Sequence, residues 1–262
     1  VNRIDYSNDT ATATTKGPLT QARNQLAAVS SSSHGYFAGG YPSPQKSTID
    51  RVDYLNDTTA AAPKGPLSLA RYRFAGTDTK DFGYLAAGEN PSVSPGTLSS
   101  VERVDYSNDS ATAVAKGPLA AKRYKHAATG NQSFGYYAGG RAPTKSSIDR
   151  LDYSNDTATG LIRGPLSANN QQFAATGNAD FGYFGGGLSG RSTVDRVDYS
   201  NDTSTASPKG TLSVGRHLIA ATGDASFGYF AGGRPGPNKS LIDRVDYSND
   251  TATASPKGSL AA

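Results

Sequence analysis

Asp246-Tyr247-Ser248-Asn249-Asp250-Thr251 is one of six near-copies of a single motif, opened in turn by Asp5, Asp53, Asp105, Asp152, Asp198 and Asp246. The copies stand 48, 52, 47, 46 and 48 residues apart. Self-similarity at that period marks a repeat architecture, in which each unit buries its apolar face only by packing on its neighbours. A residue that returns in every unit builds the unit. Residues that differ between units are where function is to be sought.

Working outward from Asp246, the last full unit divides into four segments. Segment a is Arg216-His217-Leu218-Ile219-Ala220-Ala221-Thr222, followed by a Gly223-Asp224 turn. Segment b is Phe227-Gly228-Tyr229-Phe230-Ala231-Gly232-Gly233. Segment c, Leu241 to Tyr247, leads through Asn249-Asp250 into segment d, Thr251 to Ser255, closed by Pro256-Lys257-Gly258. Short segments rich in β-branched and aromatic residues, bounded by turn residues, read as strands. Apolar residues do not recur at helical spacing, and Gly and Pro recur too often for a helix of useful length. The short turns make a–b and c–d antiparallel hairpins. Four short antiparallel strands at this period predict the blades of an all-β propeller.

The expected domain is a single propeller over residues 1–262. Residues 1–20 form a c–d half blade, and blades follow over 21–67, 68–119, 120–166, 167–212 and 213–262. Five complete repeats and a half leave the ring five- or six-bladed. An a–b pair that would complete the half blade is absent from the sequence. Three closures stay open: the chain is an arc of a longer protein, another chain donates strands, or five blades close with residues 1–15 outside. An open edge invites pairing, which favours the first two.

Composition sets limits. There is no Cys, Met or Trp, hence no disulfide, no thiolate nucleophile and no cysteine metal site. A chain beginning at Val1 is expected to be processed or part of something longer. No apolar run reaches membrane-spanning length. Hydrophobic content is only 35%, but the apolar residues are periodic, which argues against disorder. A net charge of +4 is too small to imply nucleic acid.

The unit resembles the kelch repeat. A di-glycine ends segment b at Gly39-Gly40, Gly139-Gly140, Gly186-Gly187 and Gly232-Gly233, with Ala87-Gly88 in the second unit. An Arg opens segment a at Arg23, Arg71, Arg123 and Arg216, and Tyr and Asp recur in segment c. Kelch repeats usually carry a Trp in strand d, where Thr and Ala stand here. The resemblance implies a kelch-like propeller. The Tyr-Ser-Asn-Asp-Thr-Ala-Thr form is also similar to repeats predicted in marine bacteriophage proteins, which implies a virion component.

Several motifs need weighing. Asn-Asp-Thr/Ser at Asn8, Asn56, Asn108, Asn155, Asn201 and Asn249 fits a glycosylation acceptor, but stands where a hairpin turn is required, so Asn and Asp are expected to cap their own backbone. Two carboxamide and carboxylate side chains per turn fall short of a calcium loop. Arg3/Asp5, Arg51/Asp53, Arg103/Asp105, Arg150/Asp152, Arg196/Asp198 and Arg244/Asp246 lie two apart on one strand face. Six copies argue for ion pairs that fix blade register rather than for catalysis. The aromatics of Phe-Gly-Tyr are expected to pack between blades.

Contact candidates come from the loops. Lys16, Lys64, Lys116, Arg163, Lys209 and Lys257 open the d–a connections, and Lys46, Lys145, Arg191, Arg234 and Lys239 lie in the b–c loops. In a propeller these loops share one face, so together the residues predict a positive ring suited to anionic glycan or an acidic surface. The b–c loops vary most, over 41–46, 89–97, 141–145, 188–191 and 234–239. His34, His126 and His217 lie in different units without a repeated nucleophile. No catalytic residue, metal site or cofactor is expected. The reading is a non-enzymatic structural or adhesive scaffold, virion-borne or extracellular, contacting other virion or surface proteins and anionic glycan. Neither nucleic acid nor membrane insertion is expected, and the open edge is compatible with an oligomer. The alternatives are a secreted lectin-like module and a kelch-type adaptor.

Overall fold

In each Ile-Asp-Arg-Val-Asp run the two leading residues and the fourth are buried while the Arg is half-buried, and each run lies in the third strand of a four-stranded antiparallel sheet. The computed structural model describes residues 1–261; Ala262, the outer bound of the expected last blade, lies outside them. Blade 1 comprises Ala27–Ser30, His34–Ala38, Ile49–Asp53 and Ala62–Lys64 as strands a to d. Blade 2 comprises Ala75–Asp78, Phe82–Ala86, Val101–Asp105 and Val114–Lys116. Blade 3 comprises Ala127–Gly130, Phe134–Ala138, Ile148–Asp152 and Leu161–Arg163. Blade 4 comprises Ala174–Gly177, Phe181–Gly185, Thr193–Asp198 and Ser207–Thr211. Blade 5 comprises Ala220–Gly223, Phe227–Ala231, Leu241–Asp246 and Ser255–Ser259. The fold is the expected all-β propeller ring, with the a strands of successive blades side by side at the centre. Tyr136 pairs with Arg150, and Arg150 with Leu161; blade 1 repeats this register.

Strand a begins later than the sequence pattern suggests. Gln25, Arg73, Lys125, Gln172 and Leu218 all take the left-handed conformation, with φ between 56° and 61°. That kink ends any extended run from Arg23, Arg71, Arg123 or Arg216, so these arginines belong to the loop before the strand.

Residues 1–15 lie inside the ring. Asn2–Arg3 and Thr14–Thr15 form a two-stranded sheet that takes a sixth position. On one side Gly258 donates its N–H to the Asp9 carbonyl at 2.8 Å, and Ala13 donates to Ser259 at 2.7 Å. On the other side Gly17 donates to Asp57 at 2.8 Å. The closure that leaves residues 1–15 outside is therefore wrong: backbone bonds tie the half blade to both neighbours.

Lys-Gly at the end of strand d shows why that glycine recurs. A Cβ on Gly65 would stand 1.9 Å from the Ala111 carbonyl oxygen of the next blade. Gly17, Gly117, Gly164, Gly210 and Gly258 meet the same carbonyl position at 2.0 Å or less. The neighbouring c–d turn passes so close that only a residue without a side chain fits. The di-glycines have a different cause: Gly39, Gly139, Gly186 and Gly232, and each second glycine, sit at positive φ. Ala87 takes the same conformation at φ 60°.

The apolar core lies between blades. Val29, Tyr36 and Ile49 of blade 1 pack with Leu67, Phe74, Leu85 and Val104 of the blade 2 region. Tyr36 stacks on Tyr106 with centroids 4.9 Å apart, and Tyr84–Tyr153, Tyr136–Tyr199, Tyr183–Tyr247 and Tyr229–Tyr6 repeat the contact. The tyrosines of Phe-Gly-Tyr thus pack between blades, as expected, while Phe82, Phe134, Phe181 and Phe227 lie half-buried under the strand-c arginine of their own blade.

Candidate interaction face

The turn after strand c decides which charges are free. Asp5, Asp53, Asp105, Asp152, Asp198 and Asp246 each cap a single 3-10 turn by accepting the N–H two residues on. Where that residue is Ser, its hydroxyl bonds the same oxygen at 2.6 or 2.7 Å. These bonds hold the Asp105 carboxyl below the usual carboxylate range. So the cap is the Asp before Tyr, not the Asn-Asp pair. The second Asp of each copy reaches the preceding blade instead. Asp109 accepts from Arg51 Nη1 at 2.7 Å, Tyr36 Oη at 3.1 Å and Lys64 Nζ at 3.1 Å. Burial raises the Asp109 carboxyl, but the bonds from Lys64, Tyr36 and Arg51 outweigh it and leave it lowered. Burial and the Asp109 charge push the Tyr36 phenol up to about 12.

The arginines of strand c do fix blade-to-blade register, but with other partners than the strand aspartates. Arg3, Arg103, Arg150, Arg196 and Arg244 pair with Asp57, Asp156, Asp202, Asp250 and Asp9 at 2.7–2.8 Å. The d-strand cations join the same sites: Lys16, Lys116, Arg163, Lys209 and Lys257 lie 3.0–3.7 Å from Asp57, Asp156, Asp202, Asp250 and Asp9. Their side chains are mostly buried. With Lys64, they are staples between blades, so the positive ring drawn through them is not free surface. Charge-assisted bonds of this kind are worth about 1.5–3 kcal/mol each.

A second charge layer lies deeper. Arg23, Arg123 and Arg216 pair with Asp50, Asp149 and Asp243 at 2.6–2.8 Å, fully buried, and Arg71 pairs with Glu102. These acids are the first acidic residues of the Ile-Asp-Arg-Val-Asp runs, which the sequence reading passed over.

What differs between blades gathers at one end of the ring. The five left-handed residues form a backbone chain around the axis: Arg73 donates to Gln25, Lys125 to Arg73, Gln172 to Lys125 and Leu218 to Gln172, each at 2.8 Å. Isolated bridges Asn24–Tyr41, Tyr72–Glu89, Tyr124–Arg141 and His217–Arg234 bind the b–c loops to this mouth. Arg73 Nη1 lies 2.8 Å from Glu89 and its guanidinium 4.8 Å over the Tyr72 ring. Tyr41 and Tyr72 lie 5.7 Å apart, and Lys125 lies over Tyr124 at 5.8 Å. Burial and the nearby Arg73 and Arg141 charges lower the Lys125 ammonium. Beside this row a shallow depression of about 510 Å³ is lined by Tyr72, Glu89 and residues 91–97. The signal that could have revealed the mouth was the variable pair after each strand-a arginine: Asn24-Gln25, Tyr72-Arg73, Tyr124-Lys125 and His217-Leu218.

Of the b–c loop candidates, Arg191, Arg234 and Lys239 are exposed and Lys46 and Lys145 half-buried. Arg234 alone of these five bridges to the residue pair at the mouth. Among the described residues no three His, Asp or Glu side chains gather as metal ligands would. His126 is buried in the core position that Phe74 and Phe173 hold in other blades, and burial keeps it neutral by pulling its imidazole well down. No helix among the described residues is long and apolar enough to cross a membrane. No family model matches the chain, and no curated protein matches it either.

Proposed function

We propose that this propeller is a non-enzymatic scaffold whose axial mouth, on the b–c face, binds an anionic glycan or a glycan-bearing surface. One observation carries the reading: repeated charges are used up between blades, while the variable Tyr41, Tyr72, Arg73, Tyr124, Lys125 and Arg141 converge at one mouth. Flat tyrosine rings offer apolar faces to sugar carbons, and the neighbouring cations offer donors to carboxylate or sulfate. A virion part such as a tail fibre or capsid decoration would use this face for host contact. That setting, and the kelch-like lineage, rest on the di-glycine, arginine and Tyr-Ser-Asn-Asp-Thr repeats of the sequence.

A glycan array with sulfated, carboxylated and neutral sugars tests the reading. Binding confined to the anionic sugars, weakened about tenfold or more in Arg73→Ala/Lys125→Ala with the fold intact, is the expected result. Binding by neutral sugars alone would point to a lectin of different chemistry. An acidic peptide preferred over every sugar would point to an adaptor.

A further inference from the structure

The half blade leaves one of six junctions incomplete, and the other five show what is missing. At each complete junction the turn aspartate meets the strand-c Arg and a strand-d cation, Arg163 at Asp202 and Lys elsewhere, and accepts a Tyr hydroxyl from strand b. The tyrosine bonds are Tyr36–Asp109, Tyr84–Asp156, Tyr136–Asp202, Tyr183–Asp250 and Tyr229–Asp9, all at 3.0–3.1 Å. Asp57 has Arg3 and Lys16 but no tyrosine. The ring after each strand c is also covered by that tyrosine, except Tyr54, which is 46% exposed while its counterpart Tyr199 is 9% exposed. At three complete junctions a strand-a threonine also bonds the tyrosine after strand c, Thr129 with Tyr199, Thr176 with Tyr247 and Thr222 with Tyr6, whereas the buried Tyr106 and Tyr153 hydroxyls have no partner among the described residues. Phe37 is only half-buried, although Leu85, Tyr137, Phe184 and Phe230 at its position are fully buried. Among the described residues, strand Asn2–Arg3 is paired on one edge only, unlike every other strand c.

We propose that the sixth position is a receiving slot for a β-hairpin of this chain's own repeat type, with Thr-Gly before its turn and Phe-Gly-Tyr after it. The hairpin adds its second strand to the free edge of Asn2–Arg3. Its Tyr stacks on Tyr54 and donates to Asp57, as at all five complete junctions, and its Thr meets the Tyr54 hydroxyl, as at three of them. Asn2 refines the choice. It stands where Asp50, Glu102, Asp149, Asp195 and Asp243 stand, so an incoming arginine would meet no carboxylate. Blade 4 carries Asn170 in place of that arginine, and its hairpin fits the slot without a buried unpaired charge.

The test uses the full chain and a synthetic peptide of residues 169–187. Saturable one-to-one binding by calorimetry is expected, with slowed amide exchange over residues 2–4. Tyr54→Ala in the chain, or Tyr183→Ala in the peptide, should each weaken it about tenfold or more. Because a free hairpin folds poorly, a second arm appends residues 169–187 after Ala262, where Gly258-Ser259-Leu260 already match Gly164-Pro165-Leu166 in sequence register. This chain should melt at higher temperature, and Tyr54→Ala should remove the gain. Absence of both binding and stabilisation, or indifference to both tyrosines, overturns the proposal. A chain that elutes at twice its mass with Tyr54 already protected assigns the slot to a second copy, and overturns it too.

Discussion

Blade 3 buries Asp149 against a guanidinium, whereas blade 4 buries the equivalent Asp195 against a hydroxyl. Arg123 Nη2 reaches Asp149 at 2.7 Å, and the Ala121 N–H adds a bond at 3.1 Å. In blade 4 Asn170 replaces the arginine and turns to the Gly186 carbonyl at 2.8 Å. Ser167 then supplies both donors to Asp195, its hydroxyl at 2.7 Å and its N–H at 3.0 Å. Blade 3 has Ala120 at the place of Ser167, so neither blade has both devices. Blades 1 and 5 have both, through Thr20 with Arg23 and Ser213 with Arg216. A buried carboxylate must be satisfied, but the fold accepts either partner.

Breaking blade 3 should cost most. Arg123→Ala leaves the buried Asp149 carboxyl without its cation and held mainly by backbone N–H groups, and it strips donors from the Tyr137, Gly139 and Ser147 carbonyls. A loss of about 3–5 kcal/mol is expected in urea unfolding. A cost below about 1 kcal/mol would mean that the arginine is not what stabilises the acid. Ser167→Ala is the matching cut in blade 4. It removes one neutral hydroxyl and leaves its backbone N–H in place, so about 1–3 kcal/mol is expected in the same assay. If Ser167→Ala proved the costlier of the two, the ranking of guanidinium over hydroxyl would be reversed.

The same pair shows where sequence reading works and where it stops. Strand count, blade period and the place of every di-glycine were legible, because alternation and turn chemistry are local. The role of Arg123 was legible only as a repeat, since its partner lies 26 residues on and across a strand. Ile148-Asp149-Arg150-Leu151-Asp152 offers two acids, and spacing along a strand favours Asp152 as the partner of Arg150. The strand ends at Asp152, however, and the carboxylate is taken by the Ser154 N–H and hydroxyl. Arg150 therefore turns to Asp202 of the next blade. Likewise Lys116 reads as surface charge until the neighbouring turn brings Asp156 to 3.0 Å. Contacts made across blades leave no trace in the spacing within one repeat.

Restoring the missing guanidinium is the finest test of the comparison. Asn170→Arg places a cation where blades 1, 2, 3 and 5 carry one, with room left by Gly187, whose absent side chain would otherwise meet Asn170. A gain of about 1 kcal/mol at neutral pH is expected. Its pH dependence carries more information than its size. Burial raises the Asp195 carboxyl above its ordinary 3.8, with the Ser167 bonds opposing. A raised acid binds its proton more tightly folded than unfolded. Its contribution to stability is therefore whole below 3.8 and is lost as pH rises through the raised value. Asp109, held below the ordinary value, acts in the opposite sense: its contribution is whole above 3.8 and is lost as pH falls through the lowered one. An added arginine beside Asp195 favours the carboxylate, so the Asn170→Arg chain should lose less stability between about pH 4 and pH 7 than the parent. As pH falls and Asp195 takes up its proton, the added arginine loses its partner, so the advantage of the Asn170→Arg chain should shrink, while the acid limb set by Asp109 is shared. Parallel urea midpoints across the whole range would show that Ser167 already satisfies Asp195 fully, and that blade 4 lacks nothing by lacking the arginine.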